Sequence, residues 1–241
     1  MVDESSNLEA KVAQAIYGEM ARQAREELSA VYIDAAEIEE VFREALTQTD
    51  RGAAILVFSF VESLMHRVFS LHLDDTIRGG LASLFENNGP LSTASSRIRM
   101  LAALRWISRD VASGLDILRS IRNHFAHHIS AKSFDDRKIA SWIASLPQLE
   151  KRLEKVNAFA GIFSDKAKFT NRDRFLLRST LIVSDLTVDA HVLPYSLKYH
   201  VHPAVVAADF DNQPENLKNA SRAFSRVSLE VVKRFAPATI R

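Results

Sequence analysis

Residues Ala53–Leu73 read AAILVFSFVESLMHRVFSLHL, and this stretch decides the fold class. Its apolar side chains cover almost the whole circumference of an ideal helix. Such a helix is stable only when other helices enclose it. Asp50 stands shortly before this stretch and could cap the N-terminus of the helix. We therefore predict a buried central helix from about Asp50 to Leu73.

Helical periodicity continues on both sides of the central helix. Only seven glycines and six prolines interrupt the chain, and no strand–turn–strand spacing occurs. The predicted outer helices are Leu8–Leu28, Asp34–Leu46, Ser92–Trp106, Asp110–Phe125, Ile139–Phe163, Asn171–Ala190 and Glu215–Phe235. His191–Pro214 contains three prolines and is predicted to be irregular. The predicted fold class is all-α, a multi-helix up-and-down bundle with extra N- and C-terminal helices.

Charge and helix pattern divide the chain into three predicted segments. Residues 1–49 form an acidic helical segment, residues 50–190 form the bundle, and residues 191–241 hold the irregular stretch and the last helix. Residues 1–48 contain four Lys/Arg and eleven Asp/Glu, a net charge of −7, so the rest of the chain carries +8. We expect the basic bundle to face partners of negative charge.

Several classes of protein are excluded by composition. The chain has no cysteine, so disulfides and thiolate metal sites are impossible. No phosphate-binding loop, nucleophile elbow or HExxH motif occurs. The start, MVDESSNLEAK, lacks the features of a signal peptide, and the apolar run Ala53–Val61 is too short to span a bilayer. We predict a cytoplasmic protein with no membrane partner, no metal and no small-molecule cofactor.

The most unusual local feature is an arginine within an apolar helix face. Arg122 falls in the middle of the arc formed by Val111, Leu115, Leu118, Ile121 and Phe125. A guanidinium in such a seam must find a carboxylate, a set of carbonyls or a ligand phosphate, because an unpaired buried charge is very costly. One interpretation is structural, with Arg122 tied to Glu62 on the central helix.

The other interpretation is catalytic and involves the residues that follow. An Arg–His pair can cleave RNA without a metal, since a neutral imidazole takes the 2′-hydroxyl proton and arginine stabilises the phosphorane. The candidates are Arg122, Asn123, His127 and His128. A straight helix holds Arg122 and His127 about 140° apart. They converge only if the helix unwinds near Ala126 or if two chains each contribute. Alternatively, His127 and His128 merely favour the helix C-terminus.

Arginines are also concentrated upstream of this pair. Within residues 97–128 there are six arginines against Asp110 and Asp116. The candidates for contact with nucleic acid are Arg97, Arg99, Arg105 and Arg119. Such a stripe suits a phosphate backbone, although a solvated helix face balanced by the acidic N-terminal segment is the simpler interpretation.

Two family resemblances coincide in this region. The segment Arg122–His127, RNHFAH, resembles the R-x4–6-H motif of HEPN domains, which implies a helical bundle, commonly dimeric and often a ribonuclease. The segment NNGPLSTASSRIRMLAALRWIS, with the later FLLRSTLIVSDL, resembles the mannitol operon repressor (MltR) family. The residues that match its pattern are Gly89, Pro90, Leu91, Ser95 or Ser96, Arg97, and Arg119 or Arg122. This resemblance covers roughly residues 50–190.

The two resemblances agree on the fold and differ on activity. The first hypothesis is a regulatory or interaction protein of MltR type on a HEPN-type bundle, acting as a homodimer that binds a protein partner or an RNA backbone. The alternative is a metal-independent endoribonuclease with Arg122 at the phosphate, His127 as acid and base, and Asn123 orienting. DNA reading is the weakest hypothesis, because no helix-turn-helix signature occurs.

Overall fold

The computed structural model describes residues 4–86, 88–148 and 169–233, and all regular structure in these ranges is helical. The all-α prediction is therefore confirmed. The helices are α1 (Glu4–Ser29), α2 (Ala35–Thr47), α3 (Asp50–His72), α4 (Ala82–Phe85), α5 (Ala94–Ala103), α6 (Arg109–His127), α7 (Arg137–Ser145), α8 (Asn171–Tyr199), α9 (Pro203–Ala207) and α10 (Glu215–Val232).

The predicted central helix is α3, and it packs against α2, α5, α6 and α8. Its buried face includes Phe58, Phe69 and Met65, each almost completely inaccessible to water. Its N-terminal cap is Thr49, whose hydroxyl accepts the Gly52 N–H at 3.1 Å. The capping role predicted for Asp50 is therefore wrong, because that carboxylate binds other partners instead.

By length and composition alone, α3 could also cross a membrane. It has 23 residues and a mean hydropathy of 1.5 over its most apolar stretch, of which half is buried inside the bundle. It is thus longer than the run Ala53–Val61 on which the prediction of no membrane span rested. The core helix of a globular protein has the same properties, and the contacts of α3 with four other helices agree with that role.

The longest helix, α8, extends further along the chain than predicted. The prediction placed its end at Ala190 and an irregular segment from His191, but α8 continues through Pro194 to Tyr199. Proline has no N–H and leaves the carbonyl four residues earlier without its helical partner. The His72 ring of α3 lies beside that carbonyl, on Ala190. Ala190 and Tyr195, on either side of the proline, are buried in the core, so packing of this stretch offsets the lost hydrogen bond.

Shorter helices than predicted occur in two places. The predicted Ile139–Phe163 ends as α7 at Ser145, because Pro147 follows and Leu146 is extended with ψ of 149°. The remainder of that predicted helix, from residue 149, lies outside the described residues. The predicted Ser92–Trp106 ends as α5 at Ala103, where Arg105 takes the left-handed conformation with φ of 57°.

The terminal helices share the core of the bundle. α1 packs against α8 and α9, while α10 packs against α2 and α8. A continuous apolar cluster runs from Ala21 on α1 to Val232 on α10. The division into segments 1–49, 50–190 and 191–241 stays a prediction about folding units, and the core passes through both proposed boundaries.

Candidate functional site

The guanidinium of Arg122 is held by its own chain at the seam between α3 and α6. Its Nη2 lies 2.8 Å from Glu62 Oε2, and its Nη1 donates to Asn123 Oδ1 at 3.0 Å. Its Cζ lies 5.0 Å from the centre of the Phe58 ring. The side chains of Arg122 and Glu62 are each 28% exposed. The ion pair anticipated by the structural interpretation is therefore present.

The second catalytic candidate, His127, points elsewhere. α6 stays regular to its end, where the His128 N–H donates to the His124 carbonyl at 3.0 Å. The helix therefore does not unwind near Ala126, and Arg122 and His127 diverge within one chain. The His127 imidazole is exposed and makes no hydrogen bond or ion pair with the parts of the chain that the structure describes. A meeting of the two side chains across two copies remains a prediction.

The third candidate, His128, belongs to a different cluster. Its ring stacks on His124 with 4.2 Å between ring centres, and His124 Nε2 lies 3.6 Å from Asp136 Oδ1. The edge of His124 meets Trp142 of α7 at 5.6 Å. Desolvation, and then the neighbouring His128, lower the pKa of His124. His124 and His128 face α7, whereas Arg122 faces α3.

No three-ligand metal site accompanies this cluster. Among the described residues, no group of three or more His, Asp or Glu side chains is placed to hold a metal ion. The sequence alone did not single out His124, Asp136 or Trp142 as site residues. The i,i+4 spacing of His124 and His128 was visible, but the position of α7 was needed to complete the cluster.

The four arginines predicted to contact nucleic acid divide into two that have polar partners in the described chain and two that do not. Arg97 Nε donates to the Leu91 carbonyl at 2.7 Å, with its guanidinium 5.3 Å from the Phe85 ring centre. Arg119 Nη2 lies 3.1 Å from Asp116 Oδ1. Arg99 and Arg105 are exposed, and their side chains have no polar partner within the described ranges. Two of the four nucleic-acid candidates are therefore available to a ligand.

Comparison with known proteins now agrees with one of the two resemblances. A family model described as "MtlR: Mannitol repressor" matches residues 50–189, more than half of the chain. The chain belongs to the mannitol repressor (MtlR) family. The family that Gly89–Leu91 and its surroundings resemble is thereby confirmed, whereas the HEPN motif and its catalytic implication remain untested.

A solved structure and a sequence search complete the comparison. The "X-ray structure of the MtlR-HPr complex from Escherichia coli" is 18% identical, with a TM-score of 0.46, and covers 63% of this chain and 99% of that chain. A search of curated proteins gives no match. The residues that match the MtlR model extend from α3 to within α8, so α1, α2, α9 and α10 lie outside the matched range.

The free arginines lie within the MtlR-matched range, around the turn between α5 and α6. We define the corner surface as five exposed residues: Arg99, Met100, Ala103, Arg105 and Arg109. At the turn, the Arg105 N–H donates to the Ala102 carbonyl at 3.1 Å, and the Trp106 N–H donates to the Leu101 carbonyl at 2.9 Å. This bonding pattern usually has glycine at the left-handed residue. Arg105 therefore stands at a strained position, and its side chain is exposed at the turn.

Proposed function

We propose that this MtlR-family chain is a regulatory protein that acts by binding a protein partner through the corner surface. The observation that carries the proposal is the contrast between two sets of arginines. Arg122 is occupied by Glu62, Asn123 and Phe58, so its charge is already satisfied. Arg99, Arg105 and Arg109 have no such partners among the described residues and are free to bind an acidic surface.

The composition of the corner surface favours a protein partner over nucleic acid. Arg and Met are enriched at protein interfaces, where lysine is depleted, and Met100 is 38% exposed beside the free arginines. The corner surface carries only three guanidinium groups without a partner in the described chain, and Asp110 follows Arg109 directly. So few cations would neutralise few phosphates and give weak, strongly salt-dependent binding to a nucleic acid. A compact acidic and apolar patch on a protein fits the surface better.

The proposal predicts a specific loss of partner binding. HPr, the protein named with MtlR in the solved complex, serves as the probe in calorimetric titrations. We expect the triple variant Arg99→Ala/Arg105→Ala/Arg109→Ala to bind HPr at least about tenfold more weakly. Arg22→Ala/Arg43→Ala, which removes exposed arginines from α1 and α2, should leave the affinity within about twofold. Absence of HPr binding, or equal binding by the triple variant, would contradict the proposal.

One variant separates binding from folding. Arg105→Gly relieves the left-handed strain, so we expect it to raise the free energy of unfolding by about 0.5–1 kcal/mol. The same change removes one of the free guanidinium groups and should weaken HPr binding by about threefold or more. A variant that is more stable and also binds less cannot owe its loss of binding to unfolding.

A second candidate function, endoribonuclease activity in a homodimer, has one observation in its favour. His127 is exposed without a partner in the described chain, and Arg122 keeps 28% of its side chain accessible, so a second copy could bring a histidine to an arginine. Structured RNA incubated in EDTA with the parent, Arg122→Ala and His127→Ala tests it. We expect no cleavage by any of the three; cleavage by the parent that both variants lose would establish the nuclease instead.

A further inference from the structure

A shallow, open groove lies between the end of α6 and the start of α7, away from the corner surface. Its volume is about 550 Å³. Its walls carry His124 and His128 from α6, Ser130 from the connecting loop, and Arg137, Lys138 and Trp142 from α7. The corner surface and this groove are at opposite ends of α6, separated by roughly 25 Å of helix. The two sites have no residue in common.

The groove is rich in hydrogen-bond donors that have no acceptor. The Arg137 guanidinium and the hydroxyl of Ser130 make no hydrogen bond or ion pair to the described chain. Lys138 Nζ lies 5.1 Å from the centre of the Trp142 ring without a carboxylate partner there. The His128 Nδ1 lies 3.1 Å from the His124 carbonyl oxygen, so the proton of that ring is on Nδ1 when it is neutral. Only protonation makes its other nitrogen a donor.

The acidic side chain in the groove is already engaged. Asp136 Oδ1 caps α7 by accepting the N–H groups of Lys138 at 3.0 Å and Ile139 at 3.3 Å. The same oxygen lies 3.6 Å from His124 Nε2. Ser141 adds a second hydroxyl to the lining. The groups that face the groove are therefore two imidazoles, one guanidinium, one ammonium and two hydroxyls, against a single carboxylate bound to a helix N-terminus.

The two stacked imidazoles should link anion binding in the groove to the protonation of the rings. With ring centres only 4.2 Å apart, both cannot easily carry a charge, and Lys138 adds to the repulsion felt by His124. An anion placed between these rings and Arg137 would remove that repulsion. Arginine binds a phosphate oxygen pair through its planar fork, and the imidazoles and hydroxyls suit the remaining oxygens.

We propose that the groove between α6 and α7 binds the phosphate group of a small phosphorylated ligand, a phosphate monoester, as a regulatory site separate from the partner-binding surface. Binding should take up a proton at His124 and become tighter as the pH falls, because a bound anion stabilises the charged imidazole that burial and His128 disfavour. The proposal does not depend on the function of the corner surface.

The probes are inorganic phosphate and glucose 6-phosphate, with glucose as the uncharged control, titrated by calorimetry in two buffers of different ionisation enthalpy. We expect both phosphates to bind with proton uptake. Arg137→Ala and His128→Gln should each weaken binding about fivefold or more. The matched controls are His127→Gln, an adjacent imidazole that faces away from the groove, and Lys132→Ala, a nearby exposed lysine outside its lining; both should bind within about twofold of the parent.

Several results would overturn the proposal. These are no binding of either phosphate, equal binding by Arg137→Ala and His128→Gln, or binding of a 5′-phosphorylated RNA oligonucleotide without binding of glucose 6-phosphate. The HPr titration keeps this test separate from the proposed function. Arg137→Ala should bind HPr as the parent does, whatever happens to phosphate affinity.

Discussion

Replacement of Arg172 by alanine is expected to lower the free energy of unfolding by about 3–5 kcal/mol. Arg172 stands at the start of α8, and its Nη1 lies 2.6 Å from Asp50 Oδ1 at the start of α3. Its Nη2 also donates to three carbonyls at the end of α2, those of Ala45, Leu46 and Gln48, at 2.6–3.2 Å. Loss of this side chain leaves those groups without their charged partner.

The second oxygen of Asp50 extends the same cluster. It accepts the Phe134 N–H at 2.8 Å, so one ion pair joins the α2–α3 connection, the α6–α7 loop and α8. Lysine cannot serve several carbonyls and a carboxylate at once, so Arg172→Lys should recover less than half of the loss. Urea denaturation measures the effect, with the exposed Arg43→Ala as control. A loss below about 1 kcal/mol for Arg172→Ala would contradict the role assigned to the cluster.

Acidification from about pH 6.5 to pH 4 is expected to destabilise the fold through two histidines, the partly buried His72 and the buried His191. Burial, as the largest cause, lowers the pKa of His72 from 6.5 to about 4, and burial also lowers the pKa of His191. The unfolded chain then binds protons at a higher pH than the folded chain does. The stabilisation is therefore fully present above pH 6.5 and is lost as the pH falls towards 4.

For His72 alone the expected loss is about 2 kcal/mol, after allowance for solvent screening of its exposed part. Glu27 and Lys198, which form an ion pair at 2.8 Å, are the charged groups nearest to His72. His72→Gln keeps a polar side chain of similar size and removes the titratable group, so the free energy of unfolding should depend less on pH in this window. The control variant His66→Gln, at an exposed position, should leave the pH dependence of stability unchanged. Equal slopes for the parent and His72→Gln would contradict the assignment.

The parts of the fold that could be predicted are those set by local pattern. The apolar circumference of Ala53–Leu73 led to α3, and the arc around Arg122 led to its Glu62 partner, because a guanidinium in that position has few alternatives. The cap at Asp34 was also readable, and its side chain accepts the Glu37 N–H at 3.0 Å. The Glu37 side chain itself forms an ion pair with Arg67 at 2.6 Å.

The parts that could not be predicted depend on residues far apart in the chain. Pro194 normally signals a helix end, and α8 continues through it because the surrounding residues are buried against other helices. The groove between α6 and α7 required the placement of Trp142 and Arg137 beside His124, which no spacing in the sequence reveals. The early end of α7 was readable from Pro147, since the residue before a proline avoids the helical conformation.

The same distinction applies to the catalytic candidates. The spacing from Arg122 to His127 already predicted that a regular helix separates them, and α6 is regular to His127. What the spacing left open was whether Arg122 had a partner. The Glu62 carboxylate answers that question with an ion pair, and this pair is one reason why we propose binding rather than RNA cleavage.

A double-mutant cycle on Arg122 and Glu62 measures this pair directly. The variants are Arg122→Met, Glu62→Gln and the double change, compared by urea denaturation of the full chain. We expect a coupling free energy of about 1 kcal/mol or more, because both side chains are partly buried and joined at 2.8 Å. Strictly additive effects, with Arg122→Met as stable as the parent, would contradict a structural role for Arg122 and leave its guanidinium free for a ligand.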